Sequence, residues 1–297
     1  MKLIGHENAV SIIKSFVKKG KDSDAYIFCG PKGVGKKKAA RLLAISQVCK
    51  RGEVLNPCFS CDDCRRAVNK NHPSIIEVEP QGLSIKREML KEILEELQFK
   101  PYSGEKRFII IDDAEELTLK SANMLLKTIE EPPKGVFIIL ITSSIRKILP
   151  TIRSRCKHVY FGLLTDKEVA EVFEMEEVPK DEVFISLADG SPGTGISLMK
   201  EFSKDIHIFD EILNMMKIPS IKKVLELSEA LAGKREELID LLELFKHWLV
   251  RSKIYTDRMK KLSLVERVDV ACREIRMNAN RSLTITKLLI DLVKLSI

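Results

Sequence analysis

GPKGVGKKKAA, Gly30 to Ala40, follows the apolar run AYIFC and leads into a helical pattern. Gly30, Gly35 and Lys36, with Gly33 between them, meet the pattern G-x-x-x-x-G-K. Between a strand and a helix, the backbone N–H groups of such a loop cradle phosphates, and its lysine adds a point charge. The last position of the pattern takes a serine or threonine whose hydroxyl holds magnesium; here it is Lys37, and an ammonium group cannot ligate a cation. A glycine-rich turn met by chance is the plain alternative, and the placement after an apolar run argues against it.

Working outward, short apolar runs recur at Ala25–Cys29, Ile75–Val78, Phe108–Ile111, Val136–Thr142 and His158–Phe161. Helical periodicity fills Glu7–Lys19, Ile85–Phe99 and Leu119–Glu130. Strands separated by helices of this length imply a parallel α/β sheet with helices on both faces and ligands at the carboxyl ends of its strands. The run FIIIDDAEEL closes on Asp112 and Asp113. In phosphate-loop enzymes the first acid helps to hold magnesium and a following glutamate orients the attacking water, and Asp113 is one methylene shorter than that glutamate. A plain acidic turn is the competing reading.

After Phe161 the strands stop. Thr165 and Glu168 form a capping box, Asp181–Ala188 reads as a short helix, and GSPGTG, Gly190 to Gly195, precedes a third helix through Phe202. From Asp205 to Ile297 the pattern is helical, with breaks at Pro219, near Gly233 and around Asn278–Ser282.

The chain of 297 residues carries a formal charge of +7 with acids and bases interspersed, so charge alone selects no partner. No apolar stretch approaches the roughly 20 residues of a membrane helix, and MKLIGHENAV lacks a signal-peptide core, so no membrane association and a cytoplasmic location are expected. Basic residues Arg251, Lys253, Arg258, Lys260 and Lys261 could touch nucleic-acid phosphates, although a solvated helix face explains them as well. Of seven cysteines, Cys49, Cys58, Cys61 and Cys64 are clustered, with spacing C-x8-C-x2-C-x2-C. Four thiolates suit a tetrahedral structural zinc with no open coordination position. A redox CxxC pair is the alternative, disfavoured because no CxxC opens a thioredoxin-like helix.

The segment ILPTIRSRCKHVYF puts Arg153 and Arg155 before the fifth strand, where an arginine alone reads as a surface ion pair. Taken with LIGHENAV, the phosphate loop, the cysteine insert, HPSIIEVEP, LKTIEEPP, FIILITSS and GSPGTG, it completes a pattern over about residues 1 to 200 that resembles the bacterial DNA polymerase III clamp-loader subunits of the AAA+ class, in particular the delta-prime type. The resemblance implies a RecA-like AAA+ module with a zinc-binding insert over 1–162 (cysteines within 49–64), a helical lid over 163–204, a collar over 205–297, and a hinge between Phe161 and Thr165. It implies that Ile4, Gly5 and His6 line the adenine side of a nucleotide pocket and that Thr142 or Ser143 is a first sensor. Ser154, Arg155 and Cys156 match the signature whose arginine enters the neighbouring subunit's ATP site, and Gly193 stands where hydrolysing members carry a second sensor arginine. Lys37, Asp113 and Gly193 each remove a part acting in cis, whereas Arg155, acting in trans, is kept. The implied role is a non-hydrolysing subunit with gamma/tau and delta subunits as partners, in indirect contact with the sliding clamp and sharing primer-template DNA. A hydrolysing, gamma/tau-like subunit is the alternative. ATP or ADP binding stays open, because the N–H groups and Lys36 could hold ADP or phosphate without metal, or Lys37 could fill the pocket.

Overall fold

A computed structural model describes residues 2–18, 23–82, 84–97, 106–234, 237–251 and 257–296. Its contacts divide into two compact units, Met1–Val172 with Ser191–Gly193, and Phe173–Gly190 with Thr194–Ile297.

The first unit holds one parallel sheet. Its strands are β1 (Asp24–Cys29), β2 (Ile75–Val78), β3 (Arg107–Ile111), β4 (Val136–Thr142) and β5 (Lys157–Tyr160), in the order β2-β3-β4-β1-β5. β1, β3 and β4 are buried at every position. Successive side chains alternate between faces. Ile27, Ile109, Ile111, Ile138 and Leu140 therefore join one core, while Phe108 and Phe137 stack at 5.0 Å on the other face. Burial of both sets means that both faces are covered, which is why these strands read as continuous apolar runs rather than alternating ones. The edge strands β2 and β5 are shorter and only partly buried. In this unit lie α1 (Glu7–Lys18), α2 (Lys36–Val48), α3 (Asp62–Val68), α4 (Arg87–Glu96), α5 (Leu119–Glu130) and α6 (Pro150–Arg153).

Three of these differ from the periodicity. Ile85, expected to open α4, is fully buried and instead pairs with the segment after β3, donating from its N to Glu116 O while its O accepts from Thr118 N. The helix starts two residues later, at Arg87, and its expected last residues, Gln98 and Phe99, lie outside the described residues. The short α3 and α6 are new. α3 begins at Asp62 and Asp63, two acids that suit a helix N-terminus, and α6 begins on Pro150, whose fixed φ suits the first turn.

The remaining helices are α7 (Asp166–Met175), α8 (Glu182–Leu187), α9 (Pro192–Phe202), α10 (His207–Lys217), α11 (Ile221–Gly233), α12 (Leu238–Arg251), α13 (Arg258–Arg276) and α14 (Arg281–Ser296). α7 starts on the expected capping box: Thr165 N donates to Glu168 Oε2 at 2.7 Å and Glu168 N to Thr165 Oγ1 at 3.3 Å. Among its described residues the second unit contains helices and no strand. Phe209, Phe245 and Trp248 form its aromatic centre, with ring centroids 5.0–5.9 Å apart. No helix among the described residues is long and apolar enough to cross a membrane.

Candidate functional site

The phosphate loop leaves the carboxyl end of β1, between β4 and β5. Gly30 N donates to Thr142 O, and Phe161 N donates to Cys29 O. A Cβ on Gly30 would lie 2.2 Å from Phe161 O, so no other residue passes there. Gly35 caps α2 in the left-handed conformation, and Lys36 begins the helix. The residues before α1 lie against this loop: His6 Nε2 is 2.8 Å from Val34 O and its ring meets Phe161 edge-on, while a side chain on Gly5 would strike Glu168. Ile4 is half-buried beside them.

Lys36 is turned onto its own loop. Its buried ammonium donates to Gly30 O at 2.7 Å and Pro31 O at 2.6 Å. Burial pushes its pKa down, against the opposing pull of Asp112 and Glu115. Lys37 bridges two acids, with Nζ 2.6 Å from Glu79 Oε1 and 3.0 Å from Asp112 Oδ2. Burial opposes its charge, yet the hydrogen bonds to Glu79 and Asp112 prevail and its pKa is raised; the same bond holds the Glu79 carboxyl below its usual range. Asp113 lies 3.6 Å from Lys32 across an exposed pair. The resulting cleft, about 330 Å³, is lined by Lys32, Lys36, Lys37, Asp112 and Asp113. With Glu79, its three cations meet three anions. Side-chain charges at the cleft thus largely offset one another, and the loop N–H groups at the start of α2 remain as the anion-binding feature.

At the end of β4, Thr142 is fully buried, and its hydroxyl exchanges hydrogen bonds with the backbone of Ser144. Ser143 instead faces Glu115, which accepts from its N at 3.0 Å and from its hydroxyl. Burial pushes the Glu115 pKa up, but the Ser143 and Thr142 hydrogen bonds outweigh it and the net direction is down. The GSPG segment covers the loop: Ser191 Oγ donates to Lys32 O at 2.7 Å and Gly193 N to Gly33 O at 3.0 Å. A Cβ at Gly193 would sit 2.8 Å from Gly33 Cα, so this position excludes any side chain while the segment rests there.

Arg155 stands apart from the cleft, on the surface after α6. Its Nε is 2.7 Å from Glu130 Oε1, and Nη1 donates to Thr151 O at 3.0 Å. Ser154 is exposed beside it, and Cys156 is partly buried, its thiol pushed up to about 12 by that burial.

The four clustered cysteines converge: all four Sγ atoms lie within 4.8 Å of one another, with Cys58 and Cys64 at 4.0 Å, and none is in a disulfide. A tetrahedral ZnS₄ centre with bonds of about 2.3 Å spaces its sulfurs by roughly 3.8 Å, so the arrangement suits a metal. Backbone N–H groups of Arg51 and Cys58 donate to Cys49 Sγ, and that of Cys64 donates to Cys61 Sγ, orienting the ligands. The Ser60 hydroxyl leads in lowering the Cys58 thiol to about 5, while burial raises that of Cys64.

Three partners were not evident from sequence: Glu79 for Lys37, Glu115 for Ser143 and Glu130 for Arg155. Glu79 follows the carboxyl end of β2, the sheet edge where ligands gather, and that position is a usable signal. The basic residues of the second unit are largely engaged within it. Arg251 binds Asp189 and Ser186 O, Lys260 donates to Ser296 O and Lys261 to Val250 O, while Lys253 lies outside the described residues.

A degenerate phosphate loop at the carboxyl edge of a β2-β3-β4-β1-β5 parallel sheet, covered by a glycine-serine segment, defines the class: a nucleotide-binding-type α/β module of the AAA+ kind. The family model described as "DNA polymerase III, delta subunit" matches residues 5–165, and the chain belongs to that family, the clamp-loader subunits of bacterial DNA polymerase III. It is 38% identical over 162 residues to the delta' subunit of Bacillus subtilis, covering 54% of this chain and 49% of the relative. It is 30% identical to the tau subunit of the same organism, over 84% of this chain and 46% of that one. The chain thus spans about half the length of these curated relatives. A solved gamma subunit-related protein of Thermotoga maritima aligns over 97% of this chain and 100% of its own, at TM-score 0.45 and 16% identity, too distant to bear on the site.

Proposed function

We propose that the chain is a non-hydrolysing clamp-loader subunit of the delta-prime kind, lending Arg155 to the nucleotide site of a neighbouring ATP-hydrolysing subunit while a sliding clamp is loaded at primer-template junctions. One observation carries the reading: the Lys37 ammonium is bonded to Asp112 and Glu79, where a hydrolysing relative needs a magnesium ion. A tethered cation satisfies the acids without bridging the terminal phosphates. Asp113 in place of a glutamate and the tight seat of Gly193 on the loop agree with it. Arg155, by contrast, is on the surface and able to reach a second chain. A guanidinium supplied in trans stabilises charge on the transferring phosphoryl group and is worth about 10³- to 10⁵-fold in rate.

In this reading the partners are gamma/tau and delta subunits, contact with the clamp is indirect, and DNA is shared across the complex. Residues 1–162 form the AAA+ module, 163–204 the lid and 205–297 a collar. Cys49, Cys58, Cys61 and Cys64 hold one structural zinc, which braces the insert and leaves no position open for chemistry. The test is Arg155→Ala in a loader reconstituted with its ATP-hydrolysing partner. ATP turnover should fall by orders of magnitude, and turnover at the wild-type level would end the proposal.

A second reading, an ATPase in its own right, is favoured by the similarity to a tau subunit over 84% of the chain. Mg-ATP turnover by the purified chain, abolished by Lys36→Ala, would establish it.

A further inference from the structure

Arg155 is fixed before any partner arrives. Glu130 binds its Nε at 2.7 Å, Thr151 O accepts from Nη1 at 3.0 Å, and Ser154 Oγ lies 3.3 Å from the same nitrogen. Arginine carries five donors in a rigid planar fork. Holding Nε and Nη1 therefore sets the plane of the whole guanidinium, and Nη2 is left without a bond among the described residues.

Glu130 is an unusual residue for its place. It is the last residue of α5, where the helix dipole presents partial negative charge and disfavours a carboxylate unless a cation meets it. Arg155 is that cation. The side chains are 41% and 46% exposed, so water screens the pair and it adds little to stability. Orientation is what remains for it to provide.

We propose that Glu130 is a positioning residue that holds the Arg155 guanidinium in one rotamer, with Nη2 presented to a phosphate oxygen of a nucleotide on the neighbouring subunit. The proposal rests on the trans-arginine reading above. A long side chain ordered in advance loses less freedom on engagement, and misplacing a catalytic group by a fraction of its length costs rate rather than binding.

The experiment uses the complex of this chain with its ATP-hydrolysing partner and measures kcat and KM for ATP in Glu130→Ala, Glu130→Gln, Arg155→Ala and the Glu130→Ala/Arg155→Ala double variant. Glu130→Ala should lower kcat about three- to tenfold with KM unchanged, and Glu130→Gln, which keeps an acceptor for Nε, should recover part of the loss. The double variant should match Arg155→Ala alone, because Glu130 has nothing left to position. An impaired Arg155→Ala beside an unchanged or faster Glu130→Ala overturns the positioning role and leaves the trans reading standing. A further fall when Glu130→Ala is added to Arg155→Ala, or a rise in KM alone, overturns it as well. An unimpaired Arg155→Ala refutes the trans reading itself, and the positioning role with it.

Discussion

Replacing Lys37 with threonine restores the hydroxyl of the phosphate-loop pattern and vacates the space between Asp112 and Glu79. The two contacts, at 2.6 and 3.0 Å, are each worth a gross ~6 kcal/mol at an effective dielectric of about 20. Glu79 is 52% exposed and Lys37 33%, so water screens much of this, and a net loss of about 1–2 kcal/mol is expected. For a unit of this size that corresponds to a fall of roughly 2–8 °C in Tm. The released carboxylates and the new hydroxyl can then accept a divalent cation with a nucleotide. At a ligand concentration about 100 times Kd, binding returns about 2.7 kcal/mol, more than the substitution removes. Thermal melts of wild type and Lys37→Thr with and without Mg-ADP provide the readout: the wild type should not move, and the variant should start lower and rise. Acid sensitivity gives an independent sign. Lys37 lowers the folded pKa of Glu79, so that contribution is present above the unfolded carboxylate value of about 4.3 and is lost as pH falls through the folded value; the variant should lack this component. Equal stabilisation of both proteins by Mg-ADP, or a variant blind to it, would refute the assignment of Lys37 as the internal cation.

Gly193→Ala should destabilise the first unit by about 1–3 kcal/mol, because the added carbon meets backbone at Gly33 that cannot yield; Gly193→Arg should fare no better, and a melt at or above wild type would count against the tight seat. Ser143→Ala should cost about 1 kcal/mol near neutral pH by removing a hydroxyl donor to the Glu115 carboxylate. Since the Glu115 pKa is lowered in the fold, that cost should disappear as pH falls through its folded value, and a pH-independent cost would contradict it. Metal analysis of the purified chain should find about one zinc, lost with Cys64→Ser together with several degrees of Tm; a full zinc content in that variant would exclude the four-thiol site.

The sheet was legible because β1, β3 and β4 are buried on both faces and so are apolar except at their ends, where Asp24, Arg107 and Thr142 lie. Strand order was not, because no local pattern says that β1 lies between β4 and β5. α3 and α6, of seven and four residues, are too short for periodicity to register, and the first of them is capped by Cys61, whose sulfur accepts from Cys64 N. Motif spacing singled out Lys36, Lys37, Arg155 and the cysteines as candidates. Apart from Asp112, the acidic partners leave no local pattern because pairing runs through the fold: Lys37 meets Glu79 across 42 positions, with only the place of Glu79 after β2 to suggest it, and Ser143 meets Glu115 across 28. The sequence displays a lysine where the hydroxyl should be at position 37, but only the folded arrangement reveals that its ammonium bridges Asp112 and Glu79.

α2 starts at Lys36 on the phosphate loop and ends at Val48, one residue before the first thiol of the cysteine cluster. Its 13 residues make a rod about 20 Å long. Near its middle, Arg41 pairs with Glu77 on β2 at 2.8 Å and donates to the carbonyls of Ala67 and Val68 at the end of α3. One core-packed helix thus joins the phosphate loop to the cysteines, and comparing hydrogen exchange of the loop amides with the thiols intact and replaced tests whether its two ends are coupled.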